Sequence, residues 1–249
     1  MYPVLFTIKG FNFYTHGLLA VLGIVAATGI LFLLAKKGKL STVYLLDNMI
    51  YSVLFGIIGA RIAYYFLYPD QFSSFKEILY LWEGGLVSYG GFVLGLIALI
   101  LLWRWQKEPV LEWLDLLAIA FSLGLFLGRL GNVFAGELGG KTTISSLSMN
   151  GVIPVTLYEA ILVLCIYLFL FLIFILKKEV LRNGFLLSLF LILYGFGRLI
   201  IDFFREEKDV LWTLSAGQLA SLVFGVTGLI IFMLIFPRLK KRTQHGIVQ

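Results

Sequence analysis

Seven apolar runs of about 20 residues each recur along this chain, and they constrain its fold more than any other feature. A run of that length crosses a hydrocarbon layer about 30 Å thick as a helix, and within such a layer a helix satisfies its own backbone. The runs predict spans at about residues 13–35, 43–68, 84–105, 110–135, 157–176, 184–204 and 212–236, with an intervening loop at about 136–156. The expected fold class is therefore all-α: a polytopic membrane protein of seven transmembrane helices, forming a single integral membrane domain over residues 1–249. Composition agrees, because 60% of residues are hydrophobic and only 14% charged, against roughly 45–50% and about 25% in soluble domains. Lys9 alone precedes the first run and no small-residue cleavage site follows it, so that run is expected to be a retained helix, not a signal peptide.

Basic residues orient the spans. Lys36, Lys37, Lys39, Arg104, Lys107, Lys177, Lys178, Arg182, Arg238, Lys240, Lys241 and Arg242 fall on one side of the predicted membrane. Lys9, Lys76, Lys141, Arg205 and Lys208 fall on the other. The positive-inside rule then puts the N-terminus outside and the C-terminus in the cytoplasm. The net charge of +6 reflects this topology and attraction to anionic headgroups, with no nucleic-acid partner implied. The single cysteine, Cys165, lies inside the fifth run, which excludes a disulfide framework and supplies no metal-ligand set.

Three basic residues remain: Arg61, Arg129 and Arg198, each inside a predicted span. All three lie about 9–10 Å from the outer ends of their spans, at 1.5 Å per residue. An arginine in a span costs a few kcal/mol on the lenient scale, so these side chains are expected to face the bundle interior, a partner or water. Pairing of Arg198 with Asp202, one turn away, is the plainest structural explanation for that one. Three helices delivering arginine to one depth point instead to a functional layer. His16, Ser88, Tyr89, Asn132, Tyr158 and Glu159 fall at the same level. At the cytoplasmic ends, Asp47, Asn48, Glu112 and Asp115 occupy first turns, where acids and caps are expected.

The richest segment is GRLGNVFAGELGGK, residues 128–141. Glycine lets backbone N–H groups approach a phosphate, and an arginine fork holds two of its oxygens; glycine alone equally serves tight helix packing. The run resembles the signature of the prolipoprotein diacylglyceryl transferase family. Further segments match in the family's order: GARIAYY at 59–65, WEGGLVSYGGFVLG at 82–95, PVTLYE at 154–159, YGFGRLIIDFFRE at 194–206 and LSAGQLASL at 214–222. The resemblance touches spans 2 to 7.

It implies an enzyme of the bacterial cytoplasmic (inner) membrane with its active site toward the outer leaflet. Its substrates would be phosphatidylglycerol and the lipobox cysteine of a prolipoprotein signal peptide, with membrane lipids as surroundings. The products would be a thioether and glycerol phosphate, with no cofactor or metal. Such a site must neutralise a phosphodiester leaving group, align the thiol with the attacked glycerol carbon and take the thiol proton. By motif, Arg129, Asn132, Glu137 and Gly140 match the family's phosphatidylglycerol site, and Arg198 with Asp202 its paired arginine and acid. Arg61 matches the second-span arginine, with a role in headgroup binding or helix positioning, and Gly90 and Gly91 match the third-span glycine pair.

This chain departs from the pattern in several places. Tyr89 stands where many members have histidine, and His16 where they have tyrosine. Ile153 replaces a histidine, Asp202 a glutamate and Gly139 a tryptophan, and the 136–156 loop is short. The exchange suggests His16 as general base and Tyr89 as hydrogen-bond donor to phosphate or sulfur, the catalytic set being Arg129, Arg198, His16, Tyr89 and Asp202. A second route lets the arginines lower the thiol pKa without a dedicated base. Two other classes stay open on sequence: a lipid or anion transporter with an arginine transit site, and an inactive lipid-binding paralogue. An intramembrane serine protease fits less well, since Ser88 lacks a nucleophile motif.

Overall fold

The computed structural model describes residues 2–8, 11–81, 84–144, 148–176, 184–206, 209–211 and 214–245. Lys9, Lys177, Lys178, Arg182 and Lys208 of the orientation argument, and Trp82 and Glu83 of the third-span motif, lie outside these residues, as do the side chains of Arg238, Lys240, Lys241 and Arg242. Each of the seven apolar runs is a helix: α1 Thr15–Gly38, α2 Leu45–Leu67, α3 Ser88–Trp105, α4 Val110–Ala135, α5 Val155–Leu176, α6 Phe185–Asp202 and α7 Ala216–His245. All seven are long and apolar enough to cross a membrane. Between α2 and α3 run two 3-10 turns, Pro69–Gln71 and Phe75–Leu79. Among the described residues there are also two antiparallel strand pairs: β1 Val4–Ile8 with β2 Phe11–Tyr14 before α1, and β3 Asp209–Leu211 with β4 Leu214–Ser215 before α7.

The helices fall into two compact units. The first, Met1–Leu34 with Leu111–Gln249, holds α1, α4, α5, α6 and α7. Between apolar helices in lipid, association depends on close packing and internal hydrogen bonds, so small residues mark the crossings. A methyl group at Gly23 of α1 would lie 2.7 Å from the Gly124 carbonyl oxygen of α4, and one at Gly228 of α7 would lie 2.8 Å from the Ile192 nitrogen of α6. The N-terminal hairpin is tied to the end of α4 by a 2.9 Å bond from the Tyr2 amide to the Phe134 carbonyl. At the opposite end of α4, Asp115 is a buried cap for another helix. Its carboxylate accepts the Gly184 and Leu187 amides, at 2.8 and 2.9 Å, where α6 begins. This replaces the simple first-turn role its sequence position suggests, and it fixes where α6 starts.

The second unit, Ala35–Val110, holds α2 and α3. Gly56 and Gly59 of α2 lie against Gly90, Gly91 and Gly95 of α3, with no room for a side chain at Gly59 or Gly90. Ser52 Oγ donates to the Gly95 carbonyl at 3.1 Å. Where α2 starts and α3 ends, the Asn48 and Gln106 amides exchange two hydrogen bonds of 2.9 and 2.8 Å.

Candidate active site

In the first unit, the end of α4, the start of α5 and the end of α6 bring their charges together. Glu159, in the first turns of α5, is fully buried and serves as the shared anion. Arg129 Nε of α4 lies 2.8 Å from its Oε2, an ion pair in which the N–H does not point along the contact. Arg205, just past α6, donates to its Oε1 through Nη2, and Arg198 Nε of α6 stands 3.9 Å from the same oxygen. Asp202, the last residue of α6 and also buried, is the second anion. It pairs with Arg198 Nε and Arg205 Nε, both at 3.2 Å, and Ser221 Oγ of α7 stands 3.4 Å away. Arg198 Nη1 also donates to the Tyr194 hydroxyl at 3.0 Å.

Among the described residues, three guanidinium groups thus share two carboxylates, one formal positive charge in excess, in a largely buried cluster. Burying charge is costly unless it is paired and hydrogen-bonded; Asp202 accepts bonds on both oxygens, whereas Glu159 accepts one on Oε1 and has only the ion pair at Oε2. Burial also opposes the charge on Arg205, but the adjacent Glu159 carboxylate and its hydrogen bond, with Asp202, hold the guanidinium above the ordinary arginine range. Arg129 is the cluster's most open member, with a fifth of its side chain exposed, and among the described residues nothing bonds its terminal nitrogens. Asn132, one turn on, likewise has no side-chain partner among them, while its carbonyl accepts the Glu137 amide at 2.9 Å.

The glycine-rich loop after α4 frames this cluster. Thr156 of α5 donates its hydroxyl to the Glu137 carbonyl at 2.6 Å, and its amide to the Leu138 carbonyl at 3.1 Å. The Lys141 amide reaches Phe204 and the Glu206 amide reaches Gly139, so the loop is stitched to the segment carrying Arg205. Gly139 sits at φ +69° beside the Arg205 guanidinium. Gly140 is buried against the Ile153 backbone carbonyl, where any side chain would collide. These glycines permit two chain segments to cross beside the arginines. On the same loop, a Glu137 Oε1 atom lies 3.7 Å from His16 Nδ1 at the start of α1, both side chains about half exposed. Gly131 packs directly on the His16 backbone, which sets this approach.

Of the residues singled out from sequence, Arg129, Asn132, Glu137, Gly140, Arg198, Asp202 and His16 belong to this unit, and Arg129, Arg198 and Asp202 join one ion-pair cluster. Sequence reasoning placed Glu159 in the polar layer without a role and counted Arg205 only toward orientation. Both sit in quoted motifs, and Arg205 is three residues past Asp202, which is the signal that could have joined it to the pair. Arg61, Tyr89, Gly90 and Gly91 belong to the second unit. Tyr89 is exposed in the first turn of α3, and Gly90 and Gly91 form its contact with α2. Arg61 is 3% exposed, and among the described residues it makes five hydrogen bonds to backbone carbonyls: Nε to Ile78, Nη1 to Gly84 and Gly85, Nη2 to Glu77 and Tyr80. Of the two expectations for Arg61, headgroup binding or helix positioning, these bonds to its own connection are of the kind positioning needs.

Residues 3–234 match the family model described as prolipoprotein diacylglyceryl transferase. The chain is 34% identical over 247 residues to the phosphatidylglycerol–prolipoprotein diacylglyceryl transferase of Wolbachia pipientis subsp. Culex pipiens (strain wPip), covering 93% of this chain and 94% of that one. It is 31% identical to the protein so named, with the suffix 1, of Clostridium perfringens (strain 13 / Type A), covering 97% of each. It is 33% identical to that of Campylobacter curvus (strain 525.92), over 94% of this chain and 93% of the relative. With the motif-bearing arginines of α4 and α6 gathered on one carboxylate and the match running through six of the helices and most of a seventh, the chain belongs to the prolipoprotein diacylglyceryl transferase family.

Proposed function

We propose that the chain transfers the diacylglyceryl group of phosphatidylglycerol to the lipobox cysteine of a prolipoprotein, the first step of lipoprotein maturation. Family membership over nearly the whole chain supports the reaction. The observation that carries the site is the Arg129 side chain, anchored by its Nε on Glu159 while its terminal nitrogens stay open to an anion. A guanidinium held in this way is preorganised for the phosphate of the lipid, where negative charge grows as the ester bond breaks.

In the step itself the thiol sulfur attacks the glycerol carbon that bears the phosphate. A carbon–sulfur bond forms, the carbon–oxygen bond breaks with its electron pair on the phosphate, and glycerol phosphate leaves. Arg129 and Arg198 stabilise that leaving group, and Asp202 holds Arg198 in place. Asn132 and Glu137 bind the polar headgroup, and Gly140 shapes the loop that presents Glu137. His16 takes the thiol proton, and the Glu137 carboxylate 3.7 Å from Nδ1 favours the imidazolium that then forms. Tyr89 donates to phosphate or sulfur, Gly90 and Gly91 set the helix that carries it, and Arg61 acts by positioning. The charge pattern supports an outside N-terminus, a cytoplasmic C-terminus and a site toward the outer leaflet of the bacterial inner membrane, the chain acting as one integral membrane domain.

Purified protein with phosphatidylglycerol and a lipobox peptide tests the reading. Release of glycerol phosphate with the matching mass gain on the peptide cysteine is the expected result. Lipid movement between leaflets without covalent transfer, or neither product nor movement, would overturn it.

A further inference from the structure

The connection between α2 and α3 combines a buried arginine with an apolar exterior. Arg61 lies six residues before the end of α2, about 9 Å below it, and side chains on a helix lean toward its N-terminus, here away from the connection. An arginine side chain is shorter than that rise. Yet its guanidinium bonds the carbonyls of Glu77, Ile78 and Tyr80, so the 3-10 turn Phe75–Leu79 is held beside the last turns of α2, not above them. Ring contacts agree: Phe72 lies 4.9 Å under the guanidinium carbon, and Tyr65 of α2 meets Phe75 at 5.8 Å between centroids.

Irregular backbone at that depth needs every polar group satisfied from within the protein. Arg61 supplies five donors to five carbonyls of this one connection. Meanwhile Phe75 is 73% exposed and Leu79 74%, and Phe66 of the adjoining last turn of α2 is 75% exposed. Asp70 and Lys76 are exposed as well, and a lysine can extend its charge to the headgroups while its stem stays apolar.

We infer that residues 69–81 form a re-entrant elbow sunk into one leaflet, with Phe75 and Leu79 in contact with phospholipid acyl chains and Arg61 taking the place of water for its backbone. The occupant of this apolar face is the bilayer itself, because the face continues the surface of a spanning helix at the same depth. This inference requires that α2 and α3 span the membrane and is independent of the transferase chemistry.

Cys165 is the chain's one cysteine, so a Cys165→Ser background permits single nitroxide labels at Phe75→Cys and Leu79→Cys in the full-length protein. The protein is reconstituted in vesicles of phosphatidylethanolamine and phosphatidylglycerol, and power saturation compares collisions with oxygen and with a water-soluble nickel chelate. Ser41→Cys, in the exposed α1–α2 connection, is the aqueous control. Oxygen should dominate at both elbow positions and nickel at Ser41, a reversal of sign in the depth parameter. Nickel access at 75 and 79 equal to that at 41 would overturn the inference. So would exclusion of both reagents, which means protein and not lipid covers the face. In the same labelled proteins Arg61→Lys, with three donors and no fork, should shift both positions toward nickel; unchanged depth would refute the role of Arg61.

Discussion

Replacing Glu159 by glutamine tests the central feature of the site with almost no change of shape. The carboxylate is buried and lies between Arg129 at 2.8 Å, the hydrogen-bonded Arg205, and Arg198 at 3.9 Å. Glu159→Gln removes the negative charge and leaves three guanidinium groups around a neutral amide that keeps one acceptor oxygen and turns an NH2 donor toward the others. Breaking a buried ion pair from one side costs about 3–5 kcal/mol of stability. For catalysis the relevant part is the loss of the ion pair that orients Arg129, about 0.5–3 kcal/mol for charged groups in contact, which at 1.36 kcal/mol per decade is roughly two- to hundredfold in kcat/KM. Glycerol phosphate release gives the rate, and detergent-solubilised thermal unfolding gives the stability. A double-mutant cycle with Arg129→Ala should show coupling of about 0.5–3 kcal/mol, since the two groups touch. Wild-type rate and midpoint in Glu159→Gln, or strict additivity with Arg129→Ala, would refute the view that this carboxylate organises the arginines.

Other substitutions separate the remaining roles. His16→Ala should lower turnover by about a hundredfold or more without weakening phosphatidylglycerol binding, and an unchanged rate rejects His16 as base. Glu137→Gln should reduce the rate less than His16→Ala, and the two together should lose no more than His16→Ala alone, as measured by kcat. Gly140→Ala forces a methyl group into the Ile153 carbonyl and should cost about 1–3 kcal/mol by unfolding midpoint, the usual range for overpacking. Asp115→Ala uncaps α6 at Gly184 and Leu187 and should cost about 0.5–2 kcal/mol, seen as faster amide exchange at the start of that helix.

The spans were legible because hydropathy is a local property: α4 begins and ends at the residues its apolar run predicts, and α5 differs by two residues at its start. The hairpin Val4–Tyr14 and the 3-10 turns were not, since short strands and turns beside a membrane carry no long periodic signal. Distance from the end of each apolar run can also be counted in sequence, and that count is what grouped Arg61 with Arg129 and Arg198. Depth is only one coordinate, however, and the direction each side chain takes around its helix depends on neighbours. Arg129 and Arg198 turn toward Glu159, whereas Arg61 turns toward the carbonyls of its own connection. For the same reason Glu159 and Arg205 were visible as charges but not as partners, because a contact spanning 46 residues of sequence is set by how α5 meets the end of α6.

The sharing of two carboxylates among three guanidinium groups bears on how such a site would empty. Arginines with no resident acids would grip a departing glycerol phosphate strongly and slow its exit. On the proposed chemistry, Glu159 and Asp202 offset much of the positive charge that the phosphate meets, while Arg129 keeps its terminal nitrogens for the phosphate. As the phosphate pulls away, the carboxylates retain the arginines, so that the emptied site holds little unbalanced charge and free phosphate should inhibit only weakly.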